Sequence, residues 1–138
     1  MRTFQCLACG KEKKWGWSTT NTYCSNKCQK EYETKQRISD WLSGKISGSK
    51  SSGAASWVKS FILEKQGYAC SECGITEWNN KPIVLECDHI DGDSTNNSES
   101  NLRCICPNCH SQSDNYKAKN KGKGRHARRE RYNKGMSY

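Results

Sequence analysis

Four polar residues in the second half of the chain could together bind a metal ion and move a proton. Asp88 and His89 are adjacent, Asn101 follows them, and His110 comes directly after a Cys-Pro-Asn-Cys sequence. One carboxylate and one imidazole can bind a hard divalent cation such as Mg²⁺ or Mn²⁺, with waters in the remaining positions. A further imidazole is then free to act as a base, because its ordinary pKa lies near physiological pH.

Two local structures must bring these side chains together. Residues 83–87 read Ile-Val-Leu-Glu-Cys, which predicts a short strand that leads into Asp88 and His89. Neighbouring strand residues point to opposite faces, so both side chains can approach one centre only if the strand ends or bulges there. The Asp-Gly-Asp turn sequence that follows permits this. Pro107 favours a helix start, and that helix carries His110.

Eight of the ten cysteines form four close pairs. Each pair can place both sulfurs on one metal ion from a tight turn, and two pairs complete a tetrahedral thiolate site for Zn²⁺. The alternatives are a redox motif or a disulfide, but redox motifs do not come as matched pairs of pairs, and no secretory signal is visible. We therefore expect two structural zinc sites, one formed by Cys6, Cys9, Cys24 and Cys28 and the other by Cys70, Cys73, Cys106 and Cys109.

Two cysteines remain outside these pairs. Cys87 ends the predicted strand, and Cys104 lies in an apolar stretch. We expect both to be small buried hydrophobic residues. The alternative is that Cys104 replaces Cys106 as a ligand. We prefer Cys106, because its spacing to Cys109 matches that of the Cys70/Cys73 pair.

The composition explains why the fold needs metal. Ile, Leu, Val and Phe supply only 16 of the 138 residues, and the net charge is +9. Chains with less than roughly 20% of these residues and a high charge are usually disordered. A small domain without a sufficient apolar core needs disulfides or metal to hold it together. The chain has no apolar run of about 18 residues, so we expect no membrane span.

The positive charge is concentrated toward the ends of the chain. Residues 70–115 hold two basic and eight acidic residues, whereas residues 116–138 hold nine basic residues and one acidic residue. Basic flanks favour a polyanion such as nucleic acid as a partner, but the acidic centre would repel it unless those carboxylates hold cations. We expect the loop acids Asp91, Asp93 and Glu99 to be solvated rather than ligands.

Composition also divides the chain into segments. Residues 1–42 are an N-terminal zinc finger and helix, in which Ser25 is the candidate N-cap. Residues 43–55 are a Ser/Gly linker, and residues 121–138 are a basic tail. In the finger, lysines and tryptophans interleave, which suits phosphate contact and base stacking, although the tryptophans could equally pack against the finger. These residues are Lys11, Lys13, Lys14, Trp15 and Trp17.

The motif between the second set of cysteine pairs resembles a known family. Asp88-His89, then Asn101, then Cys-Pro-Asn-Cys-His110 is similar to HNH nucleases of the ββα-metal type over residues 56–120. It also resembles the small HNH proteins of bacteriophages, including homing endonucleases. The resemblance implies a small α+β, zinc-stabilised fold. That fold is a ββα-metal (HNH, His-Me finger) domain, with a long-looped β-hairpin packed on a helix. Separately, the N-terminal pairs Cys6-x-x-Cys9-Gly10 and Cys24…Cys28 resemble a small treble-clef or ribbon-type zinc finger, which is expected to precede that domain.

The resemblance implies phosphodiester hydrolysis on double-stranded DNA and gives each residue a role. His89 is the general base, Asp88 and His110 bind a catalytic Mg²⁺ or Mn²⁺, and Asn101 orients the hairpin and the base. Many family members place a lysine three positions after the last histidine, where this chain has Ser113. Other cations must then contact DNA, and the candidates are Arg103, Lys117, Lys119, Lys121, Lys123, Arg125, Arg128, Arg129 and Arg131.

Other functions stay open at this point. The chain could be a non-catalytic zinc-finger DNA-binding protein, or an accessory nuclease that acts with a phage DNA-packaging machine. We expect a monomer or a homodimer, since one centre per chain cuts one strand. The expected location is the cytoplasm, which is that of the host cell if a phage encodes the protein.

Overall fold

Residues 1–17, 21–51, 53–117 and 126–136 are described by a computed structural model of the chain. It divides the chain into two units, Met1–Ser43 and Gly44–Tyr138, and both units combine short strands with helices. This is the small α+β architecture that the sequence predicts. No helix in the described part of the chain has the length and apolarity needed to cross a membrane.

The first unit begins with a hairpin. Strand β1 (Thr3–Gln5) pairs antiparallel with β2 (Glu12–Lys14), and the Cys-x-x-Cys-Gly turn connects them. The backbone N–H of Gly10 donates to the carbonyl of Cys6 at 2.8 Å. Gly10 has a φ of 70°, a conformation that glycine adopts without steric cost. The turn therefore holds the first cysteine pair in a tight loop.

A long helix completes this unit. Helix α1 spans Asn26–Leu42, and the side chain of Ser25 accepts a hydrogen bond from the backbone N–H of Cys28. The prediction of Ser25 as N-cap is therefore confirmed. Gly44 follows the helix with a φ of 80°. The second cysteine pair lies at the start of α1, where the cap fixes the first turn.

The second unit begins with short elements. Strands β3 (Ser49–Lys50) and β4 (Gly53–Ala54) form a hairpin within residues 43–55, the predicted flexible linker. The backbone N–H of Ala55 donates to the carbonyl of Gly48 at 2.8 Å, which adds a backbone hydrogen bond beside this hairpin. Helix α2 (Ser56–Lys65) follows, with Ala55 at its N-cap.

The next hairpin includes the beginning of the segment that the sequence predicts as a strand. Strands β5 (Glu77–Trp78) and β6 (Lys81–Pro82) pair, and Ile83 extends this pairing with a hydrogen bond to Thr76 at 3.0 Å. The following strand, β7 (Glu86–His89), therefore begins later than residues 83–87 predict. The prediction was wrong because the first apolar residues continue the preceding hairpin.

The central hairpin joins β7 to β8 (Leu102–Ile105) in antiparallel register. Asp88 lies opposite Arg103, and His89 lies opposite Leu102. Residues 90–101 connect the two strands and end in a 3-10 turn (Glu99–Asn101). Helix α3 (Pro107–Gln112) follows with Pro107 in its first turn, which confirms the predicted helix start, and α3 packs against β7. A last helix, α4, spans His126–Asn133.

A small apolar core lies behind this hairpin. Helix α2 packs against β8, and its Val58 and Ile62 are buried together with Ile105. Burying each such side chain stabilises the fold by about 1.5–3 kcal/mol. The side-chain amide of Gln66 adds polar contacts, since it accepts from the backbone N–H of Cys104 and donates to the carbonyl of the same residue, both at 2.8 Å.

Candidate active site

The cysteines cluster as the sequence predicts. Two groups of four have their sulfur atoms within 4.8 Å of one another, and they are the predicted sets: Cys6, Cys9, Cys24 and Cys28, and Cys70, Cys73, Cys106 and Cys109. Within them the Sγ–Sγ distance is 3.7 Å for Cys9 and Cys24 and 3.8 Å for Cys73 and Cys106. Four thiolates about 2.3 Å from a tetrahedral zinc ion are about 3.8 Å apart. Both clusters therefore fit zinc.

Both clusters are built in the same way. A backbone N–H at the start of a helix donates to the first sulfur of each cluster, from Cys24 to Cys6 at 3.3 Å and from Cys106 to Cys70 at 3.2 Å. Burial tends to raise the pKa of Cys6 and of Cys70, but backbone N–H donors outweigh it and lower each pKa to about 6. Each cluster thus carries one sulfur suited to be a thiolate at neutral pH.

The pKa values of Cys24 and Cys109 shift in the opposite direction. Thiol–thiol hydrogen bonds with Cys28 and Cys9 raise the pKa of Cys24 to about 12, and those with Cys106 and Cys73 raise the pKa of Cys109 to about 12. Without metal, Cys24 and Cys109 therefore keep their thiol protons, which form hydrogen bonds with neighbouring sulfur atoms of the same cluster. A zinc ion that replaces those protons removes the repulsion between thiolates.

Cys87 and Cys104 lie outside both clusters and opposite each other in the β7–β8 register. Cys104 is fully buried, as predicted, whereas Cys87 is partly exposed. A hydrogen bond between the two thiols lowers the pKa of Cys87 and raises the pKa of Cys104. The alternative in which Cys104 replaces Cys106 as a ligand is not what the structure shows.

Asp88 and His110 meet where β7 faces α3. The Nε2 atom of His110 lies 3.8 Å from Oδ1 of Asp88, and Asp88 is only 7% exposed. Two ligand atoms that are each about 2.1 Å from one ion can be at most about 4.2 Å apart. The distance between Oδ1 and Nε2 therefore fits a single divalent ion bound by both atoms.

Two further residues hold the His110 ring. Its Nδ1 contacts the carboxylate of Glu86, and the ring of Tyr116 lies edge-on against it at 5.1 Å between centroids. A carboxylate on one imidazole nitrogen fixes the tautomer and leaves the other nitrogen free for a metal ion. Glu86 is not among the site residues predicted from the sequence, although strand alternation places it on the same face as Asp88.

Arg103 completes the surroundings of Asp88. Its Nε atom donates to Oδ2 of Asp88 at 2.8 Å, and its Nη1 contacts the carboxylate of Glu72. Arg103 was predicted to contact nucleic acid, but in the structure its guanidinium binds these two carboxylates. Glu72 lies between Cys70 and Cys73, so Arg103 connects a cysteine cluster to the candidate metal ligand.

His89 is held by the loop rather than by α3. It is the last residue of β7, and its Nε2 lies 2.8 Å from Oδ1 of Asn97, which is 2% exposed. Asn97 is not among the site residues predicted from the sequence. Among the described residues, His89 makes no hydrogen bond to Asp88 or His110.

Asn101 closes the same loop. Its Nδ2 donates to Oδ1 of Asp91 at 2.9 Å and to the carbonyl of Asn96 at 2.8 Å, and its Oδ1 accepts from the backbone N–H of Asp91 at 3.1 Å. Burial tends to raise the pKa of Asp91, but hydrogen bonds from Asn96, the Asp93 backbone and Asn101 lower it overall. Asp91 therefore organises the loop.

The structure places the remaining predicted residues as follows. Ser113 donates its hydroxyl proton to the carbonyl of His110 at 2.8 Å, and Lys117 lies 5.0 Å from the Tyr116 ring centroid. Glu99 pairs with Lys65, and Asp93 accepts from Thr95. Arg131 is exposed on α4. The predicted nucleic-acid contacts outside the described residues are Lys119, Lys121, Lys123 and Arg125, together with the side chains of Arg128 and Arg129.

Comparison with known proteins gives one informative similarity. The chain is similar to the H-N-H endonuclease F-TflIV of Escherichia phage T5. The two share 43% identity over 68 residues. The match covers 48% of this chain and 30% of that relative, so the chain spans less than a third of the curated protein it matches. No protein-family model matches the chain, and no solved structure matches it.

Proposed function

We propose that the protein is a metal-dependent DNA endonuclease of the HNH type. The observation that carries this proposal is the pairing of Asp88 and His110, 3.8 Å apart across a β-hairpin and the helix that follows it. The order β7, β8, α3 is consistent with the order expected of a ββα-metal domain, and the similarity to a phage H-N-H endonuclease supports the same class. The proposed substrate is double-stranded DNA, the substrate class of such enzymes.

In this proposal two residues of the site bind the metal ion and a third acts as the general base. Asp88 and His110 hold a divalent ion, Mg²⁺ or Mn²⁺. When bound, that ion neutralises the charge that develops on the phosphate and on the leaving oxygen. His89 takes a proton from the attacking water, whose oxygen bonds to phosphorus while the bond from phosphorus to the 3′ oxygen breaks. The departing 3′ oxygen takes a proton from solvent water. The products carry a 5′-phosphate and a 3′-hydroxyl.

The cysteine clusters serve as structural zinc sites in the proposal. The second cluster (Cys70, Cys73, Cys106 and Cys109) connects the segment before the β7–β8 hairpin to the start of α3. It therefore fixes the position of the helix that carries His110. With few large apolar residues available, the metal replaces part of a core. One centre per chain cuts one strand, so a double-strand break needs a homodimer or two events. Cleavage would take place in the cytoplasm.

Incubation with supercoiled plasmid tests the proposal. We expect the purified protein to produce nicked or linear DNA with Mg²⁺ or Mn²⁺ and to lose this activity in EDTA. His89→Ala and Asp88→Asn should each abolish cleavage while DNA binding persists. Gln112→Ala, on an exposed position of α3, is the matched control and should cleave normally. Unchanged cleavage by His89→Ala would overturn the assignment of the base.

A second function is favoured by the two cysteine clusters alone, since two such sites suit a non-catalytic zinc-finger DNA-binding protein. The same plasmid experiment separates the two. Binding without any cleavage by the zinc-loaded wild-type protein, in either divalent metal, would favour the second function.

A further inference from the structure

The side-chain amide of Asn97 has a defined orientation. Its Nδ2 faces the backbone carbonyls of Ser94 and Thr95, at 3.2 and 3.4 Å. Carbonyl oxygens only accept hydrogen bonds, so the amide nitrogen must point toward them. The amide oxygen is therefore the atom that faces His89, 2.8 Å from its Nε2.

This orientation determines where the proton of neutral His89 lies. An amide oxygen only accepts, so Nε2 of His89 must carry the proton and donate it. The other nitrogen, Nδ1, then holds the lone pair. Within the part of the chain that the structure describes, no protein atom makes a hydrogen bond with Nδ1 of His89. A base needs such an available lone pair.

The loop keeps Asn97 in place. Asn97 is 2% exposed, and the carbonyl of the preceding residue, Asn96, accepts a hydrogen bond from Asn101 at 2.8 Å. Asn101 also binds Asp91 at the other end of the loop. The hydrogen-bond acceptor that faces His89 is thus part of a closed network and not a loose surface amide.

We propose that Asn97 is a positioning residue that holds His89 in the tautomer with the proton on Nε2 and leaves Nδ1 as the reactive base. The catalytic part of this inference rests on the proposed function, since it needs His89 to be the base. The tautomer itself does not depend on any activity. Asn97 acts on the reaction only through the imidazole that it orients.

Nitrogen NMR of the zinc-loaded full chain tests the tautomer directly. The chain has only three histidines, so the ring signals can be assigned with single substitutions. At about pH 8.5, well above the ordinary imidazole pKa of about 6.5, we expect the His89 ring to show one fixed Nε2–H tautomer with a slowly exchanging proton. Asn97→Ala should lose that protected proton. A wild-type ring protonated on Nδ1 would overturn the inference.

Kinetics test the consequence. We expect Asn97→Ala to lower kcat about 100-fold with KM changed less than about twofold, in the range that general base catalysis supplies. Asn97→Asp keeps an oxygen acceptor for Nε2–H but loses the two donor bonds, so it should recover most of kcat. The matched control is Asn96→Ala, which removes the neighbouring amide contact with Asp91 and leaves His89 untouched.

The two readouts separate two kinds of failure. A wild-type protein that does not cleave DNA overturns the proposed function, while the NMR result still decides the tautomer. Wild-type cleavage together with a normal kcat in Asn97→Ala overturns the positioning role. If Asn97→Ala loses zinc or fails to fold, Asn97→Asp decides instead, since a loss of kcat with an intact ring proton would also contradict the inference.

Discussion

The carboxylate of Asp88 is shared between a cation and an imidazole. Its Oδ2 accepts from Nε of Arg103 at 2.8 Å, while its Oδ1 faces Nε2 of His110 at 3.8 Å. Because Arg103 lies opposite Asp88 in the strand register, the hairpin itself sets this contact. Arg103 thereby fixes the orientation of the carboxylate, so that one oxygen is directed to the candidate metal position.

The Arg103→Ala variant should be much less stable than the wild-type protein. It leaves the buried Asp88 carboxylate without its cation, which costs about 3 kcal/mol in the free energy of unfolding. Urea denaturation of the zinc-loaded protein measures this. Glu72→Gln removes only the more exposed partner of Arg103, so its loss should stay below about 1 kcal/mol. Equal losses in the two variants would contradict the role given to Asp88.

The Glu86→Gln variant tests the support of His110. A neutral amide in place of the carboxylate weakens the contact with Nδ1, so the ring no longer presents Nε2 in one fixed tautomer. We expect the Mg²⁺ or Mn²⁺ concentration for half-maximal cleavage to rise about 10- to 100-fold. Glu77→Gln, on the exposed strand β5, is the control and should leave the metal dependence as in the wild type.

Elemental analysis should find two zinc ions per chain. Cys106→Ala should reduce this to one, because it removes a ligand of the second cluster. Cys104→Ala should keep both ions, although the loss of a fully buried sulfur lowers stability by about 1 kcal/mol. A variant Cys104→Ala with one zinc would show that the ligand sets are wrong.

Zinc retention should depend on pH in a defined direction. Zinc displaces thiol protons, so the affinity falls as the pH falls. Cys6 and Cys70 have a pKa of about 6, so below that value each cluster must release one further proton and the affinity should fall more steeply. In the metal-free protein the same lowered pKa also stabilises the fold. This stabilisation is complete at a pH above the ordinary thiol pKa of 9.0, decreases as the pH falls below it, and is lost as the pH falls through about 6. Metal release into a coloured chelator across this range measures the effect.

Deletion of residues 121–138 should flatten the salt dependence of DNA binding. The segment is rich in lysine and arginine, and each lost phosphate contact reduces the slope of log affinity against log salt by about 0.9. Fluorescence anisotropy with a labelled duplex at several salt concentrations measures it. An unchanged slope would mean that the tail does not contact phosphates.

The cysteine clusters were predictable from the sequence, whereas the contacts around the candidate centre were not. Cysteine spacing is a local property, so the pairs and the helix start at Pro107 could be read directly. The partners of the site depend on strand register and loop closure, which spacing does not specify. Arg103 meets Asp88 only because β7 and β8 pair in one register.

The path of the loop formed by residues 90–101 could not be predicted from the sequence either. Asn97 reaches His89 because residues 90–101 fold back on the hairpin, and that path depends on Asn101 binding both Asp91 and Asn96. No periodicity in the sequence signals it. The hairpin within residues 43–55 is a similar case, since its backbone pairing outweighs a composition that is typical of flexible linkers.

The amide of Gln66 has a consequence for self-association. The amide binds both the backbone N–H and the carbonyl of Cys104, the two groups that would otherwise pair with a further strand. The backbone N–H of Ser71 also donates to the Cys104 carbonyl, at 3.1 Å. A strand edge covered in this way cannot recruit the edge of another chain, which is the usual first step of β-aggregation. The β8 edge is therefore protected at Cys104, and we do not expect two chains to associate by strand pairing at this position.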